Sequence, residues 1–267
     1  MAETLLNIQD VSKRFGGLTA LDSVDLRVET GALAGLIGPN GSGKSTLFNI
    51  ITGFLPSDEG SIRFRGEDVT GMPPFKIARL GLYRTFQMSL NPTQMTVMEN
   101  MLLSPSGQVG ESLLSCFLKP RSVKRQEREN LERAREILDS VLLGDKMDEY
   151  VGNLSGGQKK LLALAKALML DADLILLDEP VAGVNPALIE DIQETIQRLH
   201  RAGKNFLIVE HNMNFVRTVC DTVAVLDAGE IIASGDVEPT LNDPKVLEAY
   251  LAAPRGGDEP ADDTAAA

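Results

Sequence analysis

Apolar and polar residues alternate with a period of two in two stretches near the beginning of the chain, residues 5–8 and 21–28. A half-buried strand has this period because successive side chains point to opposite faces of the sheet. The pair Gly16-Gly17 lies between the two stretches and is typical of a turn. We therefore predict a pair of antiparallel strands in this part of the chain.

Short apolar runs that are typical of buried strands recur along the chain, and helical patterns lie between them. The runs cover residues 32–37, 174–177, 206–209 and 222–226. One helix is predicted around Leu47, and another is predicted to begin at Asn185-Pro186 and to stop at Gly203. Strands that alternate with helices favour a parallel core sheet, so we predict an α/β fold.

The middle of the chain, at about residues 90–170, departs from this alternation and has a helical character. One apolar stripe at helical spacing consists of Leu131, Ala134, Leu138, Val141 and Leu142. A second helix is predicted directly after Gly157. We expect an α-helical subdomain inserted into the α/β core, and the chain has no visible internal repeat.

Charge and composition exclude several classes of protein. The net charge of −12 argues against a binding partner made of nucleic acid or anionic lipid, because proteins that bind these usually present a basic surface. The basic stretch 119–135 is interleaved with glutamates, so we interpret it as a solvated helix face. No apolar run is long enough to cross a bilayer, and no secretory signal is visible at the start.

The two cysteines and the last residues add little chemistry. Cys116 and Cys220 lie far apart and form no C-x-x-C pair, which favours a reduced compartment with both thiols packed as small apolar groups. Residues 254–267 are acidic and end in alanines, and we expect them to be disordered.

Nine residues that directly follow the first apolar run are called the P-loop below, and the first eight of them match the phosphate-binding pattern G-x-x-x-x-G-K-[ST]. They are Gly38, Pro39, Asn40, Gly41, Ser42, Gly43, Lys44, Ser45 and Thr46. Glycines let successive backbone N–H groups surround a phosphate, and a helix that starts at Lys44 adds its dipole. Lys44 is expected to reach the β- and γ-phosphates, and the Ser45 hydroxyl is expected to bind Mg²⁺. The pattern predicts a nucleoside-triphosphate site.

Two carboxylates, Asp178 and Glu179, directly follow the apolar run at 174–177. A strand in this position carries them to the carboxyl edge of the sheet, where ligands bind in α/β folds. We expect Asp178 to hold the Mg²⁺ shell, and Glu179 to orient or deprotonate the attacking water. An Asp-Glu pair alone would more often be a helix cap or a turn, but beside a P-loop it predicts hydrolysis.

A second anion site is predicted at the start of the helix that follows residue 155. The segment, called the signature segment below, consists of Leu154, Ser155, Gly156, Gly157 and Gln158. Ser-Gly-Gly at a helix N-terminus exposes backbone N–H groups to an anion. Because one chain rarely needs two sites for the same phosphate, we interpret this segment as serving ATP held by a partner chain.

With these motifs in this order, the chain resembles the nucleotide-binding subunits of ABC transporters over residues 5–251. The resemblance implies a P-loop NTPase core with a parallel sheet, an antiparallel β subdomain and the inserted helical subdomain, within one nucleotide-binding domain at 1–253. It also implies that ATP and Mg²⁺ are the ligands and that ATP is hydrolysed between two such subunits.

The resemblance implies further roles that spacing alone does not predict. Gln87, in the sequence Arg-Thr-Phe-Gln, resembles a glutamine that contacts Mg²⁺ and water and relays to the membrane subunit. His211 resembles the histidine that holds the γ-phosphate, and residues 182–185 resemble a loop that crosses the dimer interface. Phe15 resembles the aromatic residue that stacks on adenine, although it lacks the hydroxyl of the tyrosine often found there. Without the resemblance, Gln87 would be a surface amide, Phe15 a core residue and His211 a structural residue.

Four segments resemble the ATP-binding subunits of branched-chain amino acid importers in particular. They lie at residues 15–18, 84–87, 178–186 and 210–213. Many members of that branch lack a full Leu-Ser-Gly-Gly-Gln, so an importer of amides or urea, or a lipid or lipopolysaccharide exporter, stays open. Soluble ABC ATPases of translation or DNA repair usually have two cassettes, a long coiled coil or zinc cysteines, which this chain lacks. A nucleotide-binding regulator would be expected to lack the base Glu179.

The resemblance also implies the partners and the location of the chain. The partners are a second ABC ATPase subunit, transmembrane permease subunits and a solute-binding protein, and nucleic acid is not among them. The expected location is the cytoplasmic face of the inner membrane, held there by the permease. The transported substrate and the choice between a homodimer and a dimer with a paralogue stay open.

Overall fold

The strands of the chain form two sheets in the computed structural model, which describes residues 3–85, 92–105, 107–109 and 120–252. The strands are β1 (Thr4–Phe15), β2 (Leu18–Glu29), β3 (Leu33–Ile37), β4 (Glu59–Phe64), β5 (Glu67–Asp68), β6 (Leu82–Arg84), β7 (Leu174–Asp178), β8 (Asn205–Val209), β9 (Thr222–Asp227) and β10 (Glu230–Asp236). The helices are α1 (Lys44–Ile51), α2 (Pro74–Arg79), α3 (Val97–Leu102), α4 (Pro120–Ser140), α5 (Gly156–Met169), α6 (Pro186–Arg201), α7 (Met213–Val219), α8 (Val237–Leu241) and α9 (Pro244–Ala252). Gln87, Cys116 and the tail at 254–267 lie outside the described residues.

Four strands form an antiparallel sheet in the order β2-β1-β4-β5. In the first pair, Leu6 lies opposite Val28 and Ile8 lies opposite Leu26, and all four side chains are buried. The alternation of apolar residues thus marks the face of the sheet that packs on the core. The predicted antiparallel pair is confirmed, and both strands are longer than the stretches with clear alternation.

Six strands form the central sheet in the order β10-β9-β3-β8-β7-β6. Neighbouring strands within this sheet run parallel, except that β10 runs antiparallel to β9. This arrangement confirms the predicted parallel core sheet. The P-loop follows β3, Asp178 ends β7 with Glu179 directly after it, and His211 lies shortly after β8. Because parallel strands share one carboxyl edge, these three segments meet on the same side of the fold.

The central sheet lies between two apolar cores. Ile37 and Leu177 belong to a core that they share with α3 to α9, whereas Leu36 and Leu176 belong to a core shared with α1, α2 and the antiparallel sheet. Successive side chains of a strand point to opposite faces, so a strand covered on both faces must be apolar throughout. This explains why β3 and β7 lack the alternation seen in β1 and β2.

Helices α3, α4 and α5 follow β6 and precede β7 in the chain, where the helical subdomain is predicted. Helix α4 buries Ala134 and Leu138, as the stripe predicts. The prediction for Leu142 is wrong, because α4 ends at Ser140 and the backbone at Leu142 is left-handed, with φ 61°. The turn exposes Leu142 and buries Leu143 in its place. Among the helices in the described ranges, none combines the length and the apolar character needed to span a membrane.

The thiol of Cys220 is buried behind the central sheet. A Cβ added to Gly35 on β3 would lie 3.2 Å from its sulfur, so the two positions are closely packed. Burial, together with the charges of Asp221 and Glu210, raises the pKa of Cys220 to about 12. The thiol is therefore protonated at neutral pH, and the prediction of a small packed residue is confirmed for Cys220.

Candidate nucleotide-binding site

The P-loop lines a cavity of about 330 Å³ at the carboxyl edge of the central sheet. Strand β3 ends at Ile37 and α1 begins at Lys44, with Gly43 as its N-cap. The loop therefore joins a buried strand to a helix N-terminus, which is the context that the sequence pattern requires. The cavity is lined by Phe15, Leu18, Thr19, Ala20, Asn40, Gly41, Gly43, Lys44, Ser45, Thr46, Glu179 and Val209.

Two glycines of the P-loop occupy positions with no room for a side chain. A Cβ at Gly38 would lie 1.9 Å from the carbonyl oxygen of Leu226, and a Cβ at Gly43 would lie 2.6 Å from that of Ala20. Both obstacles are backbone atoms of neighbouring strands, which cannot move aside as a flexible side chain can. The loop can pass this closely between β2 and β9 only because both residues are glycine.

Lys44 is the cationic group of the cavity and lies against the P-loop itself. Its Nζ donates hydrogen bonds to the carbonyl oxygens of Gly38 and Pro39, both at 2.8 Å. Burial lowers the pKa of Lys44, and the nearby charges of Glu179 and Asp178 oppose this effect. An ammonium binds an anionic phosphate oxygen more strongly than a neutral carbonyl. The arrangement is therefore suited to a phosphate group that enters the cavity.

Glu179 reaches the cavity from the end of β7. Its backbone is left-handed, with φ 47°, a conformation that costs a residue other than glycine about 1–3 kcal/mol. Its N–H donates to the carbonyl oxygen of Val209 at 2.9 Å, which fixes the residue to the end of β8. His211 lies on the solvent side, with Nδ1 3.7 Å from Oε1 of Glu179 and 56% of its side chain exposed. The structure thus brings together two predicted site residues that are far apart in the sequence.

Asp178 ends β7, directly before Glu179, and is paired with an arginine. Its Oδ2 accepts a hydrogen bond from Arg84 at 2.6 Å, and only 9% of the Asp178 side chain is exposed. Arg84 also donates to Oδ1 of Asn49 and lies over the ring of Phe48 in α1. Sequence reasoning missed this contact, although Arg84 and Asp178 end two strands that run parallel side by side. Asp178 is not among the residues that line the cavity.

The predicted magnesium ligands offer oxygen donors of two kinds. Ser45 lines the cavity and contributes a hydroxyl, and Asp178 contributes a carboxylate that is paired with Arg84. In the described parts of the chain, no cluster of three or more His, Cys, Asp or Glu could enclose a metal by itself. Mg²⁺ in nucleotide sites usually has one or two protein oxygens and completes its shell with phosphates and water. The donor set therefore fits Mg²⁺ bound together with a nucleotide, whereas Gln87 lies outside the described residues.

The signature segment lies at the start of α5, away from the cavity. Ser155 caps this helix: its Oγ accepts from the N–H of Gln158 at 3.2 Å, and Oε1 of Gln158 accepts from the N–H of Ser155 at 2.9 Å. Gly157 is buried, and a Cβ there would lie 2.2 Å from a methyl group of Leu188 in α6. Ser155 and Gly156 are exposed. None of the signature residues is among those that line the P-loop cavity, so one chain does not bring the two predicted anion sites together.

Comparisons with known proteins agree with this geometry. Residues 21–182 match a protein family described as ABC transporter. Over 249 residues the chain is 45% identical to a probable branched-chain amino acid transport ATP-binding protein LivG of Archaeoglobus fulgidus, which covers 93% of this chain and 96% of the relative. A LivG protein of Methanocaldococcus jannaschii with the same description is 40% identical over 251 residues, covering 92% and 97%. The solved structure of the ADP conformation of an ABC transporter's ATP-binding cassette is 39% identical, with a TM-score of 0.80 over 93% of this chain and 99% of that one.

Proposed function

The chain belongs to the ABC transporter family as an ATP-binding and ATP-hydrolysing subunit, and on this basis we propose that it powers the import of branched-chain amino acids. The relatives from Archaeoglobus fulgidus and Methanocaldococcus jannaschii are described as branched-chain amino acid transport proteins, and the chain spans nearly their whole length. The observation that carries the hydrolytic part is one cavity lined by Lys44, Ser45 and Glu179.

In the proposed mechanism, the P-loop and Lys44 bind the β- and γ-phosphates of ATP. Ser45 and Asp178, with Gln87, would hold Mg²⁺, which when bound neutralises charge that develops on the phosphate oxygens. Glu179 accepts a proton from water as the water oxygen forms a bond to the γ-phosphorus. The bond from this phosphorus to the β–γ bridging oxygen breaks, and ADP leaves with that oxygen. His211 is placed beside Glu179 to donate a hydrogen bond to the γ-phosphate.

The location of the signature segment supports a composite site. ABC transporter ATPases work as dimers with permease subunits, and we propose that the exposed Ser155 and Gly156 close over ATP bound to the P-loop of the second subunit. The helix N-terminus then adds N–H donors to phosphate oxygens that the first subunit leaves uncovered. The permease would hold both subunits at the cytoplasmic face of the membrane, and a solute-binding protein would deliver the amino acid.

The proposed substrate is tested by transport in a reconstituted system. We expect the permease subunits that co-purify with the tagged chain to take up leucine, isoleucine or valine into proteoliposomes that enclose the ATPase and ATP, with the solute-binding protein on the outer side. Uptake is measured with radiolabelled solutes in the presence of the solute-binding protein. The same measurement with urea and short amides tests the alternative that the chain serves an importer of amides or urea. Uptake of urea without uptake of any branched-chain amino acid would contradict the proposal.

A second prediction concerns the aromatic residue at the cavity. Phe15 is 47% exposed, lines the cavity, and has the ammonium of Lys13 at 5.7 Å from its ring centre. An aromatic ring in this position offers a free face for stacking on adenine. We expect Phe15→Ala to weaken ATP binding by about 1–3 kcal/mol, as measured by calorimetry. Phe75→Ala, which removes an exposed ring away from the cavity, is the matched control. Equal ATP affinity for both variants would show that Phe15 does not bind the base.

A further inference from the structure

Lys160 connects helix α5 to the turn that carries Glu179. Its Nζ donates a hydrogen bond of 2.6 Å to the carbonyl oxygen of Glu179 and another of 2.7 Å to that of Ala182. The side chain is half-buried, and burial lowers its pKa against the opposing charges of Glu210, Glu179 and Asp178. Short hydrogen bonds from an ammonium to carbonyls are stronger than those between neutral groups. The mechanism described above gives no role to Lys160.

The turn that Lys160 contacts is held from a second direction by Glu210. The carboxylate of Glu210 is fully buried and accepts hydrogen bonds from the N–H groups of Val181 at 3.1 Å, His211 at 3.0 Å and Asn212 at 3.1 Å. Lys160 therefore binds carbonyls of the turn, and Glu210 binds an N–H of the same turn and ties it to the segment that carries His211. A residue in a left-handed conformation persists only where its surroundings hold it there. These two charged groups are part of what holds Glu179 in place.

We propose that Lys160 is a positioning residue for Glu179, which keeps the carboxylate at the P-loop cavity by binding the backbone on both sides of the turn. The inference rests on the proposed function, in which Glu179 is the general base. It has a consequence for the dimer, because Lys160 lies only one helical turn after the exposed Ser155 and Gly156. Helix α5 thus connects the signature segment, which would contact the partner's nucleotide, to Glu179, the general base of the chain's own site.

The first test separates positioning from stability with three variants. We expect Lys160→Met to lower kcat by about 10- to 100-fold, because a displacement of about 1 Å in a reacting group can cost this much. The KM for ATP is expected to change much less, since the P-loop is untouched. Lys160→Arg, which keeps two cationic N–H donors, is expected to restore most of kcat. Lys159→Met is the matched control, because within the described ranges Lys159 makes a single long hydrogen bond, 3.4 Å, to the carbonyl oxygen of Gly152.

The outcomes of this first test decide between two roles. Thermal unfolding of each variant measures the structural contribution of the lysine. A loss of kcat that the arginine variant restores, with ATP affinity retained, supports positioning. A kcat for Lys160→Met equal to that of Lys159→Met would overturn the proposal. A fall in ATP affinity that accounts for the whole loss of activity would overturn it as well.

The second test asks which site Lys160 serves, by means of mixed dimers. A Lys44→Ala chain and a Ser155→Arg chain, each inactive alone, together form one composite site with an intact P-loop and an intact signature segment. The P-loop and Glu179 of that site belong to the Ser155→Arg chain. We expect Lys160→Met to lower the recovered activity by about 10- to 100-fold when it is placed on the Ser155→Arg chain, and to have a much smaller effect on the Lys44→Ala chain. If the natural partner is a paralogue, one lesion is placed in each subunit of the assembled transporter.

The mixed dimers also distinguish failure of this inference from failure of the proposed function. A larger loss of recovered ATPase activity with Lys160→Met on the Lys44→Ala chain would mean that Lys160 acts through its own signature segment. Equal losses on the two chains would mean that Lys160 does not serve Glu179 of its own chain in particular. Either outcome overturns the inference. No recovery before Lys160 is altered, with mixed dimers formed and ATP bound, contradicts the composite site instead. In that case the kcat comparison of the three lysine variants still decides the inference.

Discussion

Glu179→Gln is expected to lower ATP turnover by about 10²- to 10⁴-fold, which is the usual contribution of a general base. The amide has nearly the same shape as the carboxylate and cannot accept the proton of the attacking water. ATP affinity should stay close to that of the unmodified chain, because the P-loop backbone and Lys44, which are expected to bind the phosphates, are unchanged. Turnover is measured by phosphate release, and affinity by calorimetry.

The same variant is expected to stop the cycle after ATP binding. ATP should then hold two Glu179→Gln chains together as a stable dimer that elutes earlier in size-exclusion chromatography. Glu190→Gln, an exposed glutamate on α6, makes the same chemical change outside the site and should behave like the unmodified chain. Turnover near the normal rate in Glu179→Gln would rule out Glu179 as the base.

Lys44→Ala has the second large expected effect, on ATP affinity. A hydrogen bond to a charged group is worth about 1.5–3 kcal/mol, so losing even one ammonium–phosphate bond should weaken binding roughly 10- to 100-fold. The unbound protein also loses two hydrogen bonds, those from Nζ to the carbonyl oxygens of Gly38 and Pro39. Calorimetric titration with ATP gives the dissociation constant.

Two controls accompany Lys44→Ala. Lys245→Ala removes an exposed lysine and tests for a general effect of charge on ATP binding. Circular dichroism and thermal unfolding test whether the P-loop has kept its fold without the lysine. An unchanged dissociation constant in a folded Lys44→Ala protein would show that the phosphates bind elsewhere.

Elements with a local cause could be predicted from the sequence. The period of two in β1 and β2 reflects one buried face, and the apolar runs of β3 and β7 reflect two buried faces. The cap at Asn185 could also be predicted, because its side chain needs only the N–H of Ala187, two residues away. In each case, residues close together in the chain carry the whole signal.

Contacts between distant segments could not be predicted in this way. Arg84 and Asp178 are 94 residues apart, and their pairing depends on which strands become neighbours in the sheet. Lys160 lies on a helix and contacts Glu179 at the end of a strand. The spacing of apolar residues along the chain does not indicate a contact of this kind. Leu142 shows the reverse case, where a periodic pattern continues past the residue at which the helix has ended. The predicted roles of the site residues remain predictions that the variants above test.

The left-handed backbone at Glu179 has a consequence for laboratory evolution of this protein. Glycine adopts such a conformation without the steric cost that a Cβ brings, so a selection for heat resistance alone would favour Glu179→Gly. The selected variants would have higher thermal stability but would lack the proposed general base, because the residue that favours stability here differs from the residue that activity requires. Libraries built on this chain should therefore be screened for phosphate release as well as for resistance to heat.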